Sequence, residues 1–561
     1  MNTRMVGWMC TGMLLITLCA GVFAREPAPD NKPYLKASEQ DMQWWREARF
    51  GMFVHWGPVS LKGTEIGWSR GGERRGTGGN KGEIPVEVYD NLYKEFNPVK
   101  FNAKEWVAIA QDAGAKYLVF TTKHHDGFCE FDSALTDYKI TNSPFKRDVV
   151  KELAGACHAA NLRLGFYYSP PDWHHPDYRT DRHAQYIQYL HGHLRELCSN
   201  YGQLDVVWFD GLGGTASDWD SENLFKMIRE LQPHTIINNR AGLPADFDTP
   251  EQTIGRFQND RAWESCITIC NQWAWKPNDD LKSLKTCIDT LVRCAGGDGN
   301  LLLNVGPMPT GEIEPRQVDR LKEIGAWLKQ YGESIYGTRG GPFRPGKWGA
   351  ATCKDQRLYL HVLAWPKETL TLPAISKNVV ASSLLTGGDA TVTQTEEGLS
   401  IAVPKENRQE LDTIIVLELD GPANLASPIS TLSHSLCVGK KATASNIYQK
   451  MSAYGPDKAL DDDPNTRWAT DAGTHSAWLE VDLGEPRRID RVYMSEEYDR
   501  VQSFTLEYLE GLAWKTLAEG KHIGVECELS FKPITAPKVR LNIREATEGP
   551  TLWEFQVFPA K

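Results

Sequence analysis

The chain has 561 residues, of which 41% are hydrophobic and 24% are charged, and its formal net charge is −11. This length is too great for one hydrophobic core and the composition excludes a largely disordered protein, so we expect two to four folded domains. The acidic balance argues against a nucleic-acid partner, because binding to a phosphate backbone favours basic patches.

The amino terminus has the pattern of an export signal. Arg4 is followed by an apolar stretch centred on residues 13–16, and small residues precede position 25. The apolar run is too short for a comfortable membrane span. We therefore predict that residues 1–24 are a signal peptide and that the mature protein is exported to the periplasm or the extracellular space without stable membrane insertion.

Ten of the twelve cysteines follow this segment, at irregular spacing and without a Cys-x-x-Cys pair. Most of them are predicted to be buried free thiols that pack like small hydrophobic residues.

Five short apolar runs in the first half of the chain have the composition of buried strands, and helical patterns separate them. The runs are residues 49–57, 117–122, 162–168, 204–209 and 235–240, and the helical patterns include residues 103–113, 149–160 and 183–201. The intervals from His124 to Tyr167 and from Tyr167 to Asp210 are both 43 residues, enough for one strand, one helix and their loops. Since no G-x-G-x-x-G motif follows any run, we predict an α/β fold for residues 25–340, a (β/α)8-like barrel.

Reactive or aromatic side chains stand at the ends of these runs. They are His55, His124, His125, Tyr167, Trp208, Asp210 and Arg240. Because the carboxyl ends of all barrel strands lie on one face, these residues are expected to converge. A zinc site is the competing interpretation of the histidines, but they form no helical ligand pair and no Cys or Glu stands at ligand spacing. Neutral imidazoles and an arginine beside a carboxylate favour recognition of hydroxyl groups.

Two glutamates beyond the fifth run could work with Asp210. Glu251 lies in the acidic, proline-broken loop 246–252, where neighbouring carboxylates would help a carboxyl group to keep the proton that a general acid needs. Glu264 follows Trp263, which could exclude water from it. Two carboxyl groups flanking a glycosidic bond are the usual requirement for glycoside hydrolysis. The residues alone leave both glutamates open as the general acid.

Seven short motifs in this part of the chain are specific enough for comparison with known families. They are RFGMFVHWG at 49–57, KYLVFTTKHHDGF at 116–128, GFYYS at 165–169, WFDG at 208–211, Asn239-Arg240, Trp263-Glu264 and GNLLLNVGP at 299–307. Together they resemble glycoside hydrolase family 29, the α-L-fucosidases, over residues 36 to 340. The resemblance implies a retaining exo-hydrolase that removes terminal α-L-fucose by double displacement and needs no cofactor for turnover.

The resemblance also implies roles for single residues. Asp210 matches the family nucleophile. The residues that match positions gripping the fucose hydroxyls or walling the pocket are His55, His124, His125, Tyr167, Trp208 and Arg240. Glu65 matches an early sugar-binding glutamate, with the tryptophan that usually follows it displaced to Trp68. Glu251 fits the acid/base best by its loop, and Glu264 is the alternative. A Gly-Asn-Glu signature associated with α-1,3/1,4-restricted members is absent, which favours the broader-specificity branch.

After residue 340 the pattern changes to short alternating β runs. Residues 341–420 are predicted to form an antiparallel β-sandwich with a structural role, and residues 421–436 a linker. Residues 437–561 resemble the discoidin fold, also called the coagulation-factor type C fold, which carbohydrate-binding module family 32 shares. The matching segments are ALDDDPNTRWAT at 459–470, WLEVDLG at 478–484 and Trp553-Glu554.

This second resemblance implies a structural calcium site, whose oxygen ligands would be Asp461, Asp463, Thr466 and Glu554. The module is expected either to bind sugar, with Tyr448 and Tyr454 as loop aromatics, or to be purely structural.

The sequence therefore predicts an exported, exo-acting, retaining α-L-fucosidase with a fucosylated glycan as substrate. Two alternatives stay open at this point. One is a non-catalytic glycan-binding protein on a barrel scaffold, and the other is an α-L-galactosidase, whose sugar differs from fucose by one hydroxyl at C6.

Overall fold

Eight parallel strands form the sheet in the first half of the chain. The computed structural model describes residues 32–77, 82–255, 257–365, 368–396, 398–424, 429, 435–462 and 466–560, so the predicted signal peptide lies outside the described residues. The strands are β1 (Phe50–Val54), β2 (Tyr117–Lys123), β3 (Arg163–Tyr168), β4 (Val206–Phe209), β5 (Ile236–Ile237), β6 (Phe247–Asp248), β7 (Ala262–Thr268) and β8 (Asn300–Val305). Their order is β5-β4-β3-β2-β1-β8-β7-β6, and a parallel bridge between Asn238 and Phe247 joins the two ends. The predicted (β/α)8-like barrel is confirmed as a nearly closed one.

The helices lie between and around these strands. They are α1 (Glu39–Ala48), α2 (Val86–Tyr89), α3 (Ala103–Asp112), α4 (Val149–Ala159), α5 (His183–Asn200), α6 (Ala216–Trp219), α7 (Ser221–Leu231), α8 (Leu284–Gly296) and α9 (Pro315–Tyr331). Side chains of Ser38, Asn102, Asp148 and Ser283 cap α1, α3, α4 and α8 by accepting bonds from first-turn backbone N–H groups. Helices α3, α4 and α5 begin where the sequence predicts and end one residue earlier.

Helix α1 covers the end of the barrel at which the strands begin. The ring of Trp45 in α1 lies 4.8 Å, between centroids, from that of Phe247, the first residue of β6. Asn300, the first residue of β8, donates to the Trp45 carbonyl at 2.8 Å. The opposite end, where the strands finish, is the end that carries the polar residues.

Residues 339–419 form two antiparallel sheets, in agreement with the predicted β-sandwich. Their strands are β9 (Arg339–Gly340), β10 (Gly349–Lys354), β11 (Arg357–Val362), β12 (Thr369–Pro373), β13 (Val379–Leu384), β14 (Thr391–Thr395), β15 (Gly398–Ala402) and β16 (Thr413–Leu419). The orders are β13-β16-β11-β10-β9 and β12-β15-β14. Lys285 of α8 donates to the carbonyls of Leu363 at 3.0 Å and Leu411 at 2.8 Å, so the sandwich packs on the barrel.

The C-terminal part has its own antiparallel sheet and its own hydrophobic core. Its strands are β17 (Lys441–Ala444), β18 (Trp468–Ala469), β19 (Ala477–Glu496), β20 (Val501–Glu510), β21 (Ala513–Gly520), β22 (Cys527–Ala546) and β23 (Thr551–Pro559). The order is β18-β23-β19-β22-β20-β21, and β17 pairs with β19. Trp468, Leu479 and Phe555 are among the residues that fill the core. Of the predicted linker, residues 425–428 and 430–434 lie outside the described residues.

Within the described segments all ten cysteines are free thiols, and nine of them are buried. No helix of those segments has the length and apolar composition needed to cross a bilayer.

Candidate active site

Asp210 directly follows β4, and three polar side chains surround its carboxylate. The Tyr167 hydroxyl donates to Oδ2 at 3.0 Å, and Arg240 Nη1 donates to Oδ1 at 3.2 Å. His125 Nε2 lies 3.5 Å from Oδ2. Tyr167 belongs to β3, His125 follows β2 and Arg240 follows β5, so four neighbouring strands bring these groups together. The Asp210 side chain is 14% exposed, so a ligand can reach it.

Three histidines form a wall beside Asp210. His55 Nδ1 lies 2.7 Å from Asn304 Oδ1, and His125 Nδ1 lies 2.6 Å from Ser169 Oγ. The ring of His124 lies between them, 5.6 Å from His55 and 4.1 Å from His125 between centroids. Burial lowers the pKa of His55 to about 4, and it lowers the pKa of His124 and His125 well below their usual value. At neutral pH each imidazole is therefore uncharged and offers one donor and one acceptor.

An aromatic pair supports the two groups that donate to Asp210. The rings of Tyr167 and Trp208 stack with centroids 5.6 Å apart and planes at 20°. The Arg240 guanidinium lies over the Trp208 ring, 4.8 Å from its centroid. His124 stacks on Tyr167 with planes at 6°. The two groups that donate to Asp210 therefore both rest on Trp208.

Glu251 reaches the cluster from the loop between β6 and β7. Its Oε2 accepts a hydrogen bond of 2.7 Å from Arg240 Nη1, the same nitrogen that bonds to Asp210. A parallel backbone bridge to Cys266 of β7 fixes the loop at this point. The Glu251 side chain is 41% exposed, so it is open to solvent and to a ligand above the cluster.

The other carboxylates of the acidic segment 246–252 have partners of their own. Asp246 accepts from Arg229 at 2.6 Å, and Asp248 accepts from Arg261 at 2.8 Å. The sequence predicted that these carboxylates would be the neighbours of Glu251. In the structure an arginine takes that place, because each aspartate turns toward a different basic side chain.

Glu264 lies in a different environment, inside the barrel. It is the third residue of β7 and 0% exposed. Its Oε1 accepts from Trp208 Nε1 at 3.1 Å, and its Oε2 accepts from the Tyr117 hydroxyl. Burial raises the pKa of this carboxyl to about 7. Of the two candidate glutamates, only Glu251 shares Arg240 with Asp210.

Glu65 binds the backbone of a neighbouring loop. Its two carboxylate oxygens accept from the N–H groups of Trp273 at 2.9 Å, Ala274 at 3.1 Å and Ile66 at 3.1 Å. Burial raises the pKa of this carboxyl. The Trp273 ring lies 4.8 Å from that of His55. Glu65 therefore orders a loop that packs on the histidine wall.

The segment after Glu65 touches the other two histidines. Gly67 has φ +67°, and a Cβ there would come within 2.7 Å of His124 Nδ1, so glycine permits this close approach. The Trp68 ring stands edge-on to His125 at 5.6 Å and is 36% exposed. The displaced tryptophan thus borders the polar cluster.

Four further residues support the site, and the sequence patterns indicate no role for them. Asn304 holds His55, Ser169 holds His125, Thr249 accepts from Arg240 Nε at 2.8 Å, and Trp273 packs on His55. A single polar residue within the apolar run Leu-Leu-Leu-Asn-Val was a detectable signal for Asn304. Thr249 and Trp273 lie in loops without a repeating pattern.

A metal would find possible ligands at one place in the described part of the barrel. Ligand atoms of His124, His125 and Asp210 lie within 4.8 Å of one another. The Arg240 guanidinium, 3.2 Å from the same carboxylate, places a permanent positive charge there. This arrangement disfavours a cation and leaves the histidines for hydroxyl groups.

Three of the four predicted calcium ligands lie among the described residues of the C-terminal part. The Thr466 hydroxyl donates to Asp461 Oδ1 at 2.8 Å. Glu554 is 5% exposed, and its Oε1 has no hydrogen-bond partner among the described residues. Burial, together with Asp462 and Asp461, raises the pKa of this carboxyl to about 9. The predicted ligand Asp463 lies outside the described residues.

The predicted sugar-binding aromatics of this part lie side by side. The Tyr448 and Tyr454 rings meet edge to face with centroids 5.4 Å apart. Arg467 lies over the Tyr454 ring at 5.1 Å.

Two family descriptions match the chain. "Alpha-L-fucosidase" matches residues 23–333, and "F5/8 type C domain" matches residues 441–555. The first covers the barrel with its polar cluster, and the second covers nearly all of the C-terminal sheet.

Named relatives agree with the first match. The chain is 31% identical to human plasma alpha-L-fucosidase over 364 residues, which are 58% of this chain and 76% of the relative. The alpha-L-fucosidase isoenzyme 1 of Paenibacillus thiaminolyticus has a solved structure with 38% identity and a TM-score of 0.62, covering 68% of this chain and 99% of its own. The alpha-L-fucosidase of Vibrio sp. strain EJY3, 22% identical with a TM-score of 0.67, shares the fold over 94% of this chain and 100% of its own. The chain therefore belongs to the α-L-fucosidase family of glycoside hydrolases.

Proposed function

We propose that this protein is a retaining, exo-acting α-L-fucosidase in which Asp210 is the nucleophile and Glu251 the acid/base. The observation that carries the proposal is that one nitrogen, Arg240 Nη1, binds both carboxylates, at 3.2 and 2.7 Å. Their bonded oxygens are therefore within about 6 Å of each other, close to the roughly 5 to 5.5 Å of retaining glycosidases and below the roughly 6.5 to 9.5 Å of inverting ones.

The reaction then takes two steps. Asp210 attacks the anomeric carbon of the α-fucoside and forms a β-fucosyl ester, while Glu251 gives its proton to the departing glycosidic oxygen. Water next attacks the same carbon, Glu251 takes up its proton, and Asp210 leaves as a carboxylate. Two displacements restore the α configuration, and water is the second substrate.

The neutral histidine wall supports specificity for a sugar. A neutral imidazole binds a hydroxyl through one nitrogen, as donor or as acceptor. His55 and His125 already use Nδ1 for Asn304 Oδ1 and Ser169 Oγ, which leaves Nε2 of each ring for a sugar hydroxyl. Charged imidazoles would favour anions over hydroxyl groups, so a charged wall would be less selective for a sugar. This chemistry suits the terminal fucose of a glycan, which presents its hydroxyls and its apolar C6 methyl group together.

The same proposal places the enzyme outside the cytoplasm, on the support of the signal-like pattern in residues 1–24. It also assigns a calcium ion to the C-terminal part. The buried Glu554 oxygen without a hydrogen-bond partner fits that ion, and so does the nearby carboxylate of Asp461.

Azide trapping tests the two carboxylates. We expect Asp210→Gly to lower the release of aryl alcohol from an aryl α-L-fucoside by about 10⁴-fold or more. Azide can then occupy the space of the lost carboxylate and give β-L-fucosyl azide. Glu251→Ala should lose about 10² to 10⁴-fold on poor leaving groups but much less on activated aryl groups. In that variant azide replaces water and gives α-L-fucosyl azide.

A neighbouring carboxylate is the matched control. Asp248→Asn changes an acid at the end of β6 that pairs with Arg261 and not with Arg240, so it should keep the wild-type dependence on leaving group. Wild-type protein that releases no sugar from the fucoside contradicts the proposal. Release from the α-L-galactoside in its place would show the galactosidase, and binding of fucose without release would show the glycan-binding protein.

A further inference from the structure

Glu264 is a buried carboxylate that the two-step reaction does not use. It has no exposed surface, and both of its oxygens already accept hydrogen bonds, from Tyr117 and from Trp208. Protonation of a leaving oxygen requires direct access to the substrate. The position of Glu264 inside the barrel does not provide that access.

Its hydrogen bond to Trp208 nevertheless connects it to the reacting groups. An indole N–H can only donate, and in the apolar interior it needs an acceptor at a fixed place. Glu264 Oε1 is that acceptor, at 3.1 Å. The same indole ring contacts Tyr167, stacked at 5.6 Å, and Arg240, at 4.8 Å from the ring centroid. A rotation of the indole would therefore displace both donors to Asp210.

We propose that Glu264 is a positioning residue of the hydrolytic site, which fixes the Trp208 indole and through it the hydrogen bonds of Tyr167 and Arg240 to Asp210. This inference rests on the proposed function, since it assigns Asp210 the reacting carboxylate. It also gives a reason for the Trp263-Glu264 motif. The motif supplies an acceptor inside the barrel and leaves the acid/base role to Glu251.

The two hydrogen bonds of Glu264 lead to different ends of the barrel, so substitutions can test them separately. The bond from Tyr117 comes from the first residue of β2, at the end of the barrel that α1 covers, and the bond from Trp208 leads to the site. Glutamine has nearly the same shape. Its carbonyl oxygen can accept from Trp208, and its amide can donate to the Tyr117 hydroxyl. Leucine fills similar space but leaves both donors without an acceptor.

Steady-state kinetics and ligand binding test the inference. Glu264→Leu should lower kcat on both activated and poor leaving groups by about 100-fold, the effect of a misplacement of about 1 Å, without rescue by azide. Glu264→Gln should stay within about threefold of wild type, since it keeps the acceptor for Trp208. Tyr117→Phe is the matched control. It removes the hydrogen bond to Glu264 Oε2 and a 3.4 Å bond that the hydroxyl accepts from Asn300, but it keeps the bond from Trp208, so kcat should stay nearly unchanged. Glu264→Met is made in parallel, in case the leucine variant does not fold.

Binding of an L-fucose-configured iminosugar, measured by calorimetry, reads the site without turnover. We expect about tenfold weaker binding for Glu264→Leu or Glu264→Met and wild-type binding for Glu264→Gln and Tyr117→Phe. Wild-type kcat per folded molecule in Glu264→Leu overturns the inference. So does a Glu264→Gln variant that fails on poor leaving groups and is rescued by azide. If the wild type is inactive but iminosugar binding by the variants still follows this order, the proposed function is contradicted and the positioning role of Glu264 is not.

Discussion

The chemistry of the wall depends on single histidines that stay uncharged. Burial lowers the pKa of His55 to about 4, and Asn304 fixes the ring through Nδ1. A buried imidazolium would lose hydration that a sugar hydroxyl cannot replace. Neutral rings therefore keep the wall selective for hydroxyl groups.

The same burial predicts a loss of stability in acid. The pKa of His55 is near 6.5 in the unfolded chain and about 4 in the folded one, so the unfolded state takes up a proton first as the pH falls. The contribution of neutral His55 to the free energy of unfolding is complete above pH 6.5. It is lost between pH 6.5 and 4, and about 2 kcal/mol of it is lost by pH 5. We expect the free energy of unfolding in urea to fall less between pH 7 and 5 in His55→Gln than in the wild type. His158→Gln changes an exposed histidine, so its free energy of unfolding should fall with pH as that of the wild type does. An equal decrease between pH 7 and 5 in all three proteins would contradict the interpretation.

At the scale of elements, the first half of the barrel was predictable and the second half was less so. The strands β1 to β4 are apolar runs that end in reactive residues, so hydrophobicity locates both strand and site. β7 carries Trp263, Glu264 and Ser265 within its seven residues, because Glu264 meets a polar partner inside the barrel and Ser265 donates to the Thr253 carbonyl of the preceding loop. β5 has two residues and lies within the predicted run 235–240, whereas β6, also of two residues, is too short to give a pattern. The contact between Glu251 and Arg240 needed the structure, since the two residues come from different loops.

The loop that Glu65 orders is an element whose rigidity affects substrate binding. Glu65 holds the N–H groups of Trp273 and Ala274, and Asp279 holds those of Asn271 and Gln272. We expect Glu65→Gln and Asp279→Asn each to raise KM for an aryl fucoside by about tenfold, or about 1.4 kcal/mol, with kcat within about threefold. Both substitutions loosen the loop behind His55. A strong effect of Glu65→Gln beside a silent Asp279→Asn would instead indicate direct contact between Glu65 and the sugar.

At the scale of the whole molecule, the sandwich region and the C-terminal part are linked near the proposed calcium site. Arg344, at the start of the sandwich region, donates to the Asp462 carbonyl at 2.9 Å and lies 3.3 Å from its carboxylate. Asp462 adjoins the candidate ligand Asp461, and it is one of the two aspartates that act on Glu554. The loop that would hold an ion is therefore also a contact between two parts of the chain.

Removal of the ion should be visible in the stability of the full chain. A cation that binds the folded state alone raises the free energy of unfolding, and chelation reverses this. We expect EDTA to lower the Tm of the C-terminal transition by several degrees, and calcium to restore it more fully than magnesium, which demands a tighter octahedron of ligands. Glu554→Gln removes the buried ligand charge and should make the Tm insensitive to both EDTA and calcium. Glu548→Gln, at a glutamate of the loop before β23 whose carboxylate accepts from Gly473 and Gly549, should respond to both as the wild type does. A wild-type Tm that is the same in EDTA and in calcium would show that Glu554 binds no ion. The buried oxygen would then lower the stability of the folded state.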